Sequence, residues 1–141
     1  MEALSKGATN LTWLLSSFMQ DVPGVVDAVV VSSDGLLLVM SDGIGQAGGD
    51  QMAAVASGLT SLTMSAARAF GHGAVRQVIV ELEHGYLFFM SISDGSALAV
   101  IASKGCDVGH VVFEMVMMVK RVGSFLTPTL VEELKDALAN Q

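Results

Sequence analysis

The stretch SDGIGQAGGDQM, residues 41–52, is the part of the chain whose spacing is most suggestive of ligand chemistry. Gly43, Gly45 and Gly48 match the G-x-G-x-x-G spacing with which a loop wraps a dinucleotide phosphate. That fingerprint requires a parallel βαβ unit and an acidic residue about 20 positions on, whereas here the glycines follow a predicted hairpin and lead to SAARAF. Asp50 fits an N-cap of the next helix and would repel a pyrophosphate. We therefore predict a flexible connection between a strand and a helix, without a nucleotide or other cofactor.

The histidines and the single cysteine do not form a readable reactive site. His72, His84 and His110 are scattered along the chain, and a zinc site would need further ligands. The helix that follows Cys106 would lower the pKa of its thiol, but Asp107 opposes this effect, and no partnered base is visible. Asp107 is better interpreted as the N-cap of that helix. The sequence thus predicts no metal, no thiol enzyme and no catalytic residues.

Length, charge and composition restrict the classes of function. The 141 residues predict one domain with its own core, and a 52% hydrophobic composition with only 15% charged residues predicts that some apolar surface is buried between chains. No apolar run reaches the roughly 20 residues of a membrane span. The net charge of −7 argues against nucleic acid and anionic membranes as partners. The start MEALSKGATN lacks the order of a signal peptide, so we expect a cytoplasmic protein that binds other proteins.

Hydrophobic periodicity predicts the element order αββαβββα, followed by a short C-terminal helix. The predicted elements are a helix over 10–21 capped by Thr9, two strands joined by the turn Ser33-Asp34-Gly35, a middle helix over 50–70, strands over 75–83, 86–93 and 96–103, a third helix over 108–123, and a tail helix with a Thr129–Glu132 capping box. The runs LLLVM, VVV and YLFFM show little polar alternation, which predicts that both faces of the sheet are covered. The expected fold is an α+β three-layer sandwich, a five-stranded antiparallel sheet with helices on both faces.

The middle helix, QMAAVASGLTSLTMSAARAF, has almost no charged face. One face is predicted to lie on the sheet and comprises Met52, Val55, Leu59, Leu62, Ala66 and Ala69. The opposite face is made of small residues and comprises Ala54, Ser57, Gly58, Ser61, Met64, Ser65 and Arg68. A glycine in a helix costs about 1 kcal/mol relative to alanine, so Gly58 suggests the close approach of another backbone. A symmetric homodimer through this helix is the simplest explanation, and a weakly polar free surface is the alternative.

Two segments near the C-terminus allow more than one interpretation. The methionine-rich run FEMVMMVKRV suits either the core or a partner groove, and the spacing favours the core. The tail helix is too short to be stable alone, so it must dock on the body, on a dimer mate or on a partner. We divide the chain into a domain over 1–126 and an amphipathic tail over 127–141.

Several motifs together resemble the Roadblock, or dynein light-chain, family. They are VVDAVVVSSDGLLLVMS, the small-residue helix DQMAAVASGLTSLTMSAAR, the run VIVELEHGYLFFMSISDGSALAVIA and the opening DVGHVVFEM, which together span about residues 11–122. The chain is most similar to bacterial members encoded beside a sensor kinase-like protein and a small GTPase in conservon operons. The resemblance implies a profilin-like sandwich that dimerises through the middle helix and the third strand and offers a platform to a Ras-like GTPase. By position, the resemblance places Met64, Ser65 and Arg68 of the helix and residues 75–80 of the strand in or near that interface. Together with the outer face of the middle helix, the predicted interface comprises Ala54, Ser57, Gly58, Ser61, Met64, Ser65, Arg68, Arg76, Val78 and Val80.

The function implied by the resemblance is non-catalytic. It is that of a homodimeric or higher-oligomeric regulator that binds a small Ras-like GTPase, modulates its nucleotide cycle, and is recruited to the inner face of the membrane through partners such as the kinase-like protein. A trans-acting arginine can stabilise phosphoryl transfer, and Arg68 and Arg76 are candidates, although a solvated helix-end cation is the commoner role. One alternative is a purely structural adaptor that does not alter GTP turnover. Another is a small-molecule enzyme or sensor that uses the glycine-rich stretch.

Overall fold

The computed structural model describes residues 4–140 and has the predicted order of elements. The helices are α1 Lys6–Asp21, α2 Gly45–Phe70, α3 Val108–Phe125 and α4 Pro128–Ala139, and the strands are β1 Val25–Val31, β2 Leu37–Met40, β3 Gln77–Leu82, β4 Gly85–Ser91 and β5 Ala97–Ser103. The outermost residues of the two predicted units, 1–3 and 141, lie outside the described residues. Within the described residues, no helix combines the length and apolarity that crossing a bilayer requires.

All five strands form one antiparallel sheet in the order β2-β1-β5-β4-β3. The predicted turn residues make two of its hairpins, since Gly35 has φ +83° and Gly95 has φ +90°, values that L side chains rarely adopt. Along β1, Val30 lies in a larger core on one face of the sheet and Val29 in a smaller core on the other. This two-sided burial explains why the strands lack polar alternation and confirms the predicted fold class.

The larger core lies between the sheet and α1, α3 and α4. Leu15, Phe88 and Met115 are almost completely buried in it, and Met118 is buried as well, so these two methionines of α3 are core residues, as the spacing favoured, whereas Met117 is only partly buried. The Asp107 carboxylate accepts a hydrogen bond from the His110 backbone N–H at 3.1 Å, which confirms the predicted cap of α3. The prediction for α1 was wrong at its start, because the Ser5 hydroxyl caps the helix and adds a full turn before Thr9.

The tail helix docks on the body of its own chain. Its cap is Thr127, followed by Pro128 in the first turn, so the predicted Thr129–Glu132 capping box was wrong. Leu134 is buried in the larger core, while Leu138 packs against the smaller one. Helix α4 therefore covers the outer side of β2, the first edge of the sheet.

An ion pair fixes α4 to the turn between β1 and β2. The Lys135 Nζ lies 2.9 Å from the Asp34 carboxylate. Hydrogen bonds from the Ser32 hydroxyl and from Lys135 lower the pKa of the Asp34 carboxyl below its ordinary value. The pair joins residues far apart in sequence and holds the tail at the β2 edge.

Helix α2 is the main cover of the second face of the sheet, where Leu138 of α4 also packs. Its buried residues are Gly49, Met52, Ala53 and Ala56, all in the first half of the helix, where they pack on β1, β2 and β5. A Cβ atom added to Gly49 would stand 2.8 Å from Leu37 Cδ2, so this glycine lets the helix approach β2 closely. The smaller core is thus covered mainly by half of a long helix.

Candidate functional site

The glycine-rich stretch is a helix start and not the predicted flexible connection. Helix α2 begins at Gly45, so Gly48 lies inside it, and Asp50 is an exposed residue of its second turn and not its cap. The preceding turn is held to the sheet, because the Ser41 hydroxyl donates to the Asp27 carboxylate at 2.8 Å and accepts from the Ala28 backbone N–H at 3.0 Å. The local geometry is a strand-to-helix turn with acidic neighbours, which does not suit a phosphate.

The prediction that Leu62, Ala66 and Ala69 lie on the sheet was wrong. All three are exposed, and Leu62 exposes 72% of its surface. The reason is length: a helix of 26 residues is about 39 Å long, whereas five strands span only about 19 Å across and seven residues about 23 Å along a strand. The second half of α2 therefore extends past the sheet of its own chain.

We call residues 57–70 the free half of α2. The seven residues predicted on its outer face, Ala54, Ser57, Gly58, Ser61, Met64, Ser65 and Arg68, are all exposed. No atom lies within 4 Å of a Cβ built on Gly58, so nothing in its own chain accounts for a glycine at this position. Phe70, at the end of the helix, exposes 74% of its surface. The free half of α2 has Arg68 as its single charged residue and exposes Leu62, Met64 and Phe70 among small side chains.

Strand β3 forms the second edge of the sheet. It pairs with β4 only, where Val78 lies opposite Phe89 and Val80 opposite Leu87. Both valines pack against the smaller core and are half-buried, as expected for residues at the margin of a covered face. Arg76, just before the strand, is exposed, and its carbonyl accepts a hydrogen bond from the Ser91 backbone N–H at 3.0 Å.

Strand β3 carries large apolar side chains in contact with solvent. Ile79 exposes 43% of its surface and Leu82 exposes 45%, and because they are three residues apart they lie on opposite faces of the sheet, Leu82 on the face of Val78 and Val80. Beside Leu82, at the ends of β3, β4 and β5, lies an open concavity of about 510 Å³ whose walls include Val26 and Ile101. A flat apolar edge strand is a template for pairing with another chain. We group the free half of α2, β3 and this concavity as one candidate site, which we call the open side, because each exposes apolar side chains that its own chain leaves uncovered.

Lys104 fixes the end of β3 that borders the concavity. Its ammonium group forms an ion pair with Glu81 at 2.5 Å, donates to the Leu82 carbonyl at 3.1 Å and lies 4.8 Å from the centre of the Tyr86 ring. The hydrogen bond from Lys104 lowers the pKa of the Glu81 carboxyl, and the same bond raises the pKa of Lys104. These contacts link the end of β3 to the residue after β5 without covering the edge strand.

The other reactive residue types lie apart from one another. Among residues 4–140, no three histidine, cysteine or acidic side chains converge on a point where they would hold a metal ion. Burial, followed by the charge of Asp107, raises the pKa of the Cys106 thiol, in agreement with the opposition of Asp107 inferred from the sequence. The chemistry available at the open side is that of apolar contact and strand pairing.

Several residues of the open side were missed by the sequence analysis. Leu62 was assigned to the sheet, Phe70 and Leu82 were given no role, and Ile79 was included only as part of the strand range 75–80 near the expected interface. Phe70 carried a signal, since it is a large apolar residue directly before Gly71, which ends the helix with φ +66°. No local pattern indicated that Ile79 would be exposed, because its exposure depends on β3 being an edge strand.

Known proteins provide an independent comparison. The sequence model of the Roadblock/LC7 domain family matches residues 11–102 of this chain. A crystal structure of a Roadblock/LC7 domain from Streptomyces avermitilis is 43% identical, covers 81% of this chain and 95% of that chain, and has a TM-score of 0.77. No curated protein sequence gives a significant match.

Two more distant structures share the fold. MglB from Myxococcus xanthus is 14% identical, covers 92% of this chain and 99% of that chain, and has a TM-score of 0.78. A structure described as MglB with tetrameric arrangement is 12% identical, covers 94% and 95% of the two chains, and has the same TM-score of 0.78. The expected family is confirmed by the domain match and by the Streptomyces structure: this chain belongs to the Roadblock/LC7 family.

Proposed function

We propose that the protein is a non-catalytic homodimeric regulator that binds a small Ras-like GTPase in a bacterial signalling complex. The observation that carries this proposal is the open side, because its apolar residues have no cover within their own chain. Burying a side chain such as Leu62 or Phe70 is worth about 1.5–3 kcal/mol, so a second copy that covers several of them would bind stably. Dimer formation through α2 and β3 would also remove an exposed sheet edge.

The proposed dimer places two α2 helices side by side. Gly58, Ser61 and Ser65 lie on one face of the helix at helical spacing, and small side chains allow two backbones to approach closely. The same pairing brings together the ends of both helices, where Met64 and Arg68 are exposed. The paired surface is the platform that we propose for the GTPase, as the family resemblance implies.

Regulation would then act through the partner's own catalytic groups. A bound platform can order the nucleotide-binding loops of a GTPase, and an arginine at its rim can stabilise charge on the phosphates. Among the described residues, neither Arg68 nor Arg76 takes part in an ion pair, so both guanidinium groups are available to a partner. We propose that the complex forms in the cytoplasm and is held at the inner face of the membrane by a kinase-like partner.

The test begins with the GTPase that co-purifies with the protein. GTP hydrolysis and nucleotide exchange are measured with and without saturating regulator, and we expect at least one rate to change. Arg68→Glu should weaken the complex about tenfold, whereas Arg121→Glu on α3, the matched control, should leave it unchanged. Binding with identical rates would favour the alternative of a structural adaptor, and the absence of any GTPase would contradict the proposal.

A further inference from the structure

A second surface lies between α1 and α3, on the face of the sheet opposite α2. It is a groove of about 390 Å³ whose floor includes Phe18 and Met118, both buried, and whose walls include Trp13 and Met117. These residues belong to helices that the open side does not include. The groove is therefore separate from the proposed dimer and GTPase surfaces.

Large aromatic side chains stand exposed beside this groove. Trp13, the only tryptophan of the chain, exposes 65% of its surface, and Phe113 on α3 exposes 57%. Phe113 precedes Met117 by one helical turn, so the two side chains are neighbours on the same side of α3. An apolar cluster around a groove marks an interaction site more often than single scattered residues do, and tryptophan is a frequent anchor of interfaces.

The two ends of the groove carry charges of opposite sign. The loop after α1 lies beside the loop before α3, since a Cβ on Gly24 would stand 2.6 Å from Cys106 Cβ, so the end of α1 and the start of α3 lie at the same end of the groove. Asp21 and Glu114 therefore lie towards one end of the groove and Arg121 towards the other. Among residues 4–140, none of these three side chains takes part in an ion pair. Both ends carry charge that a ligand can neutralise.

We propose that the α1/α3 groove binds an amphipathic segment of a partner protein. That segment carries a large apolar side chain for the space between Trp13 and Met117, a basic residue on the side of Asp21 and Glu114, and an acidic residue on the side of Arg121. Anionic lipids and nucleic acids fit less well, because the two carboxylates would repel their phosphates. This surface gives the protein a second partner independently of its dimer.

The experiment selects ligands by chemistry from a displayed library of random 12-residue peptides, with the full-length protein as target. We expect enriched peptides to contain one large apolar residue between a basic and an acidic residue, and binding to shift the fluorescence of Trp13. Calorimetry on a synthesised peptide should give an affinity loss of about thirtyfold for Trp13→Ala and about tenfold for the double variant Asp21→Lys/Glu114→Lys.

The matched control is Asp136→Lys, which reverses an exposed carboxylate near the end of another helix, α4, and should leave the affinity unchanged. Circular dichroism checks that each variant keeps its fold. No enriched peptides, or peptides whose affinity is the same for the Trp13 and double variants as for the parent, would overturn the proposal. A change in the mass of the protein on Trp13→Ala would overturn it too, because the groove would then be an interface between copies.

Discussion

The two edges of the sheet differ in whether the chain covers them. At the β2 edge, the chain supplies its own cover: α4 buries Leu134 against the larger core, and Lys135 is paired with Asp34. At the β3 edge, the chain leaves Ile79 and Leu82 exposed, and the free half of α2 is exposed as well. The fold is thus complete on one side and incomplete on the other. We propose that another chain covers the β3 side, whereas α4 covers and stabilises the β2 side.

The largest effect should come from the covered edge. Leu134→Ala removes a side chain that is 4% exposed, and the lost burial together with the cavity should lower the free energy of unfolding by about 2–5 kcal/mol. Urea denaturation measures this loss. The control Leu36→Ala, at a leucine that is 52% exposed, should change stability by less than about 0.5 kcal/mol. Equal losses for the two variants would mean that α4 does not cover the edge.

At the open edge, a charge should act on association and not on folding. Leu62→Glu places a carboxylate on a residue that is 72% exposed in the single chain, so the chain should still fold, but the dimer should weaken by about 2 kcal/mol. Sedimentation equilibrium measures the dissociation constant. Phe113→Glu, on α3, is the matched control and should not alter it. An unchanged constant for Leu62→Glu would place the interface elsewhere.

Gly58→Ala distinguishes a free helix from a paired one by the sign of its effect. In a helix with nothing beside it, alanine should stabilise the chain by about 1 kcal/mol. In the proposed dimer, the added methyl group stands between two backbones, so association should become weaker at the same protein concentration. Melting temperatures recorded over a hundredfold range of concentration separate the two effects. A uniform rise at every concentration would contradict the pairing of α2.

The smallest effect should come from pH at the covered edge. The pKa of the Asp34 carboxyl is lowered from 3.8 by its hydrogen bonds with Ser32 and Lys135, so its contribution is present above about pH 4 and is lost as the pH falls through the lowered value. The side chain is largely exposed, which keeps the effect small. Denaturation midpoints of the parent and Asp34→Asn should therefore differ at pH 6 and converge near pH 2. A constant difference across this range would show that the ionised carboxylate is not what stabilises the turn.

Much of the fold is visible in local patterns of the sequence. The D-G and H-G turns located the hairpins. The apolar runs predicted that both faces of the sheet are covered, and Val29 and Val30 are buried on opposite faces. Helix starts were less predictable, because each start has two candidate caps. Ser5 competes with Thr9, and Thr127 competes with Thr129. For α2, the glycines concealed a helix that begins before Asp50.

The candidate site depended on information that local patterns do not contain. Periodicity placed Leu62 on the sheet, but the sheet ends before the helix does. The ion pair of Lys104 with Glu81 joins residues that become neighbours only when β3, β4 and β5 pair. The seven outer residues of α2 were predicted as a surface from their small size alone, and their pairing with a second copy stays a prediction.

Light scattering of the purified protein at several concentrations tests the central claim most directly. We expect a mass of about 29 kDa, twice the 14.7 kDa of one chain, or a multiple of it, and a fall towards 14.7 kDa for Gly58→Glu. A parent protein that stays at 14.7 kDa at all concentrations would contradict the claim that the open side is covered by a second copy.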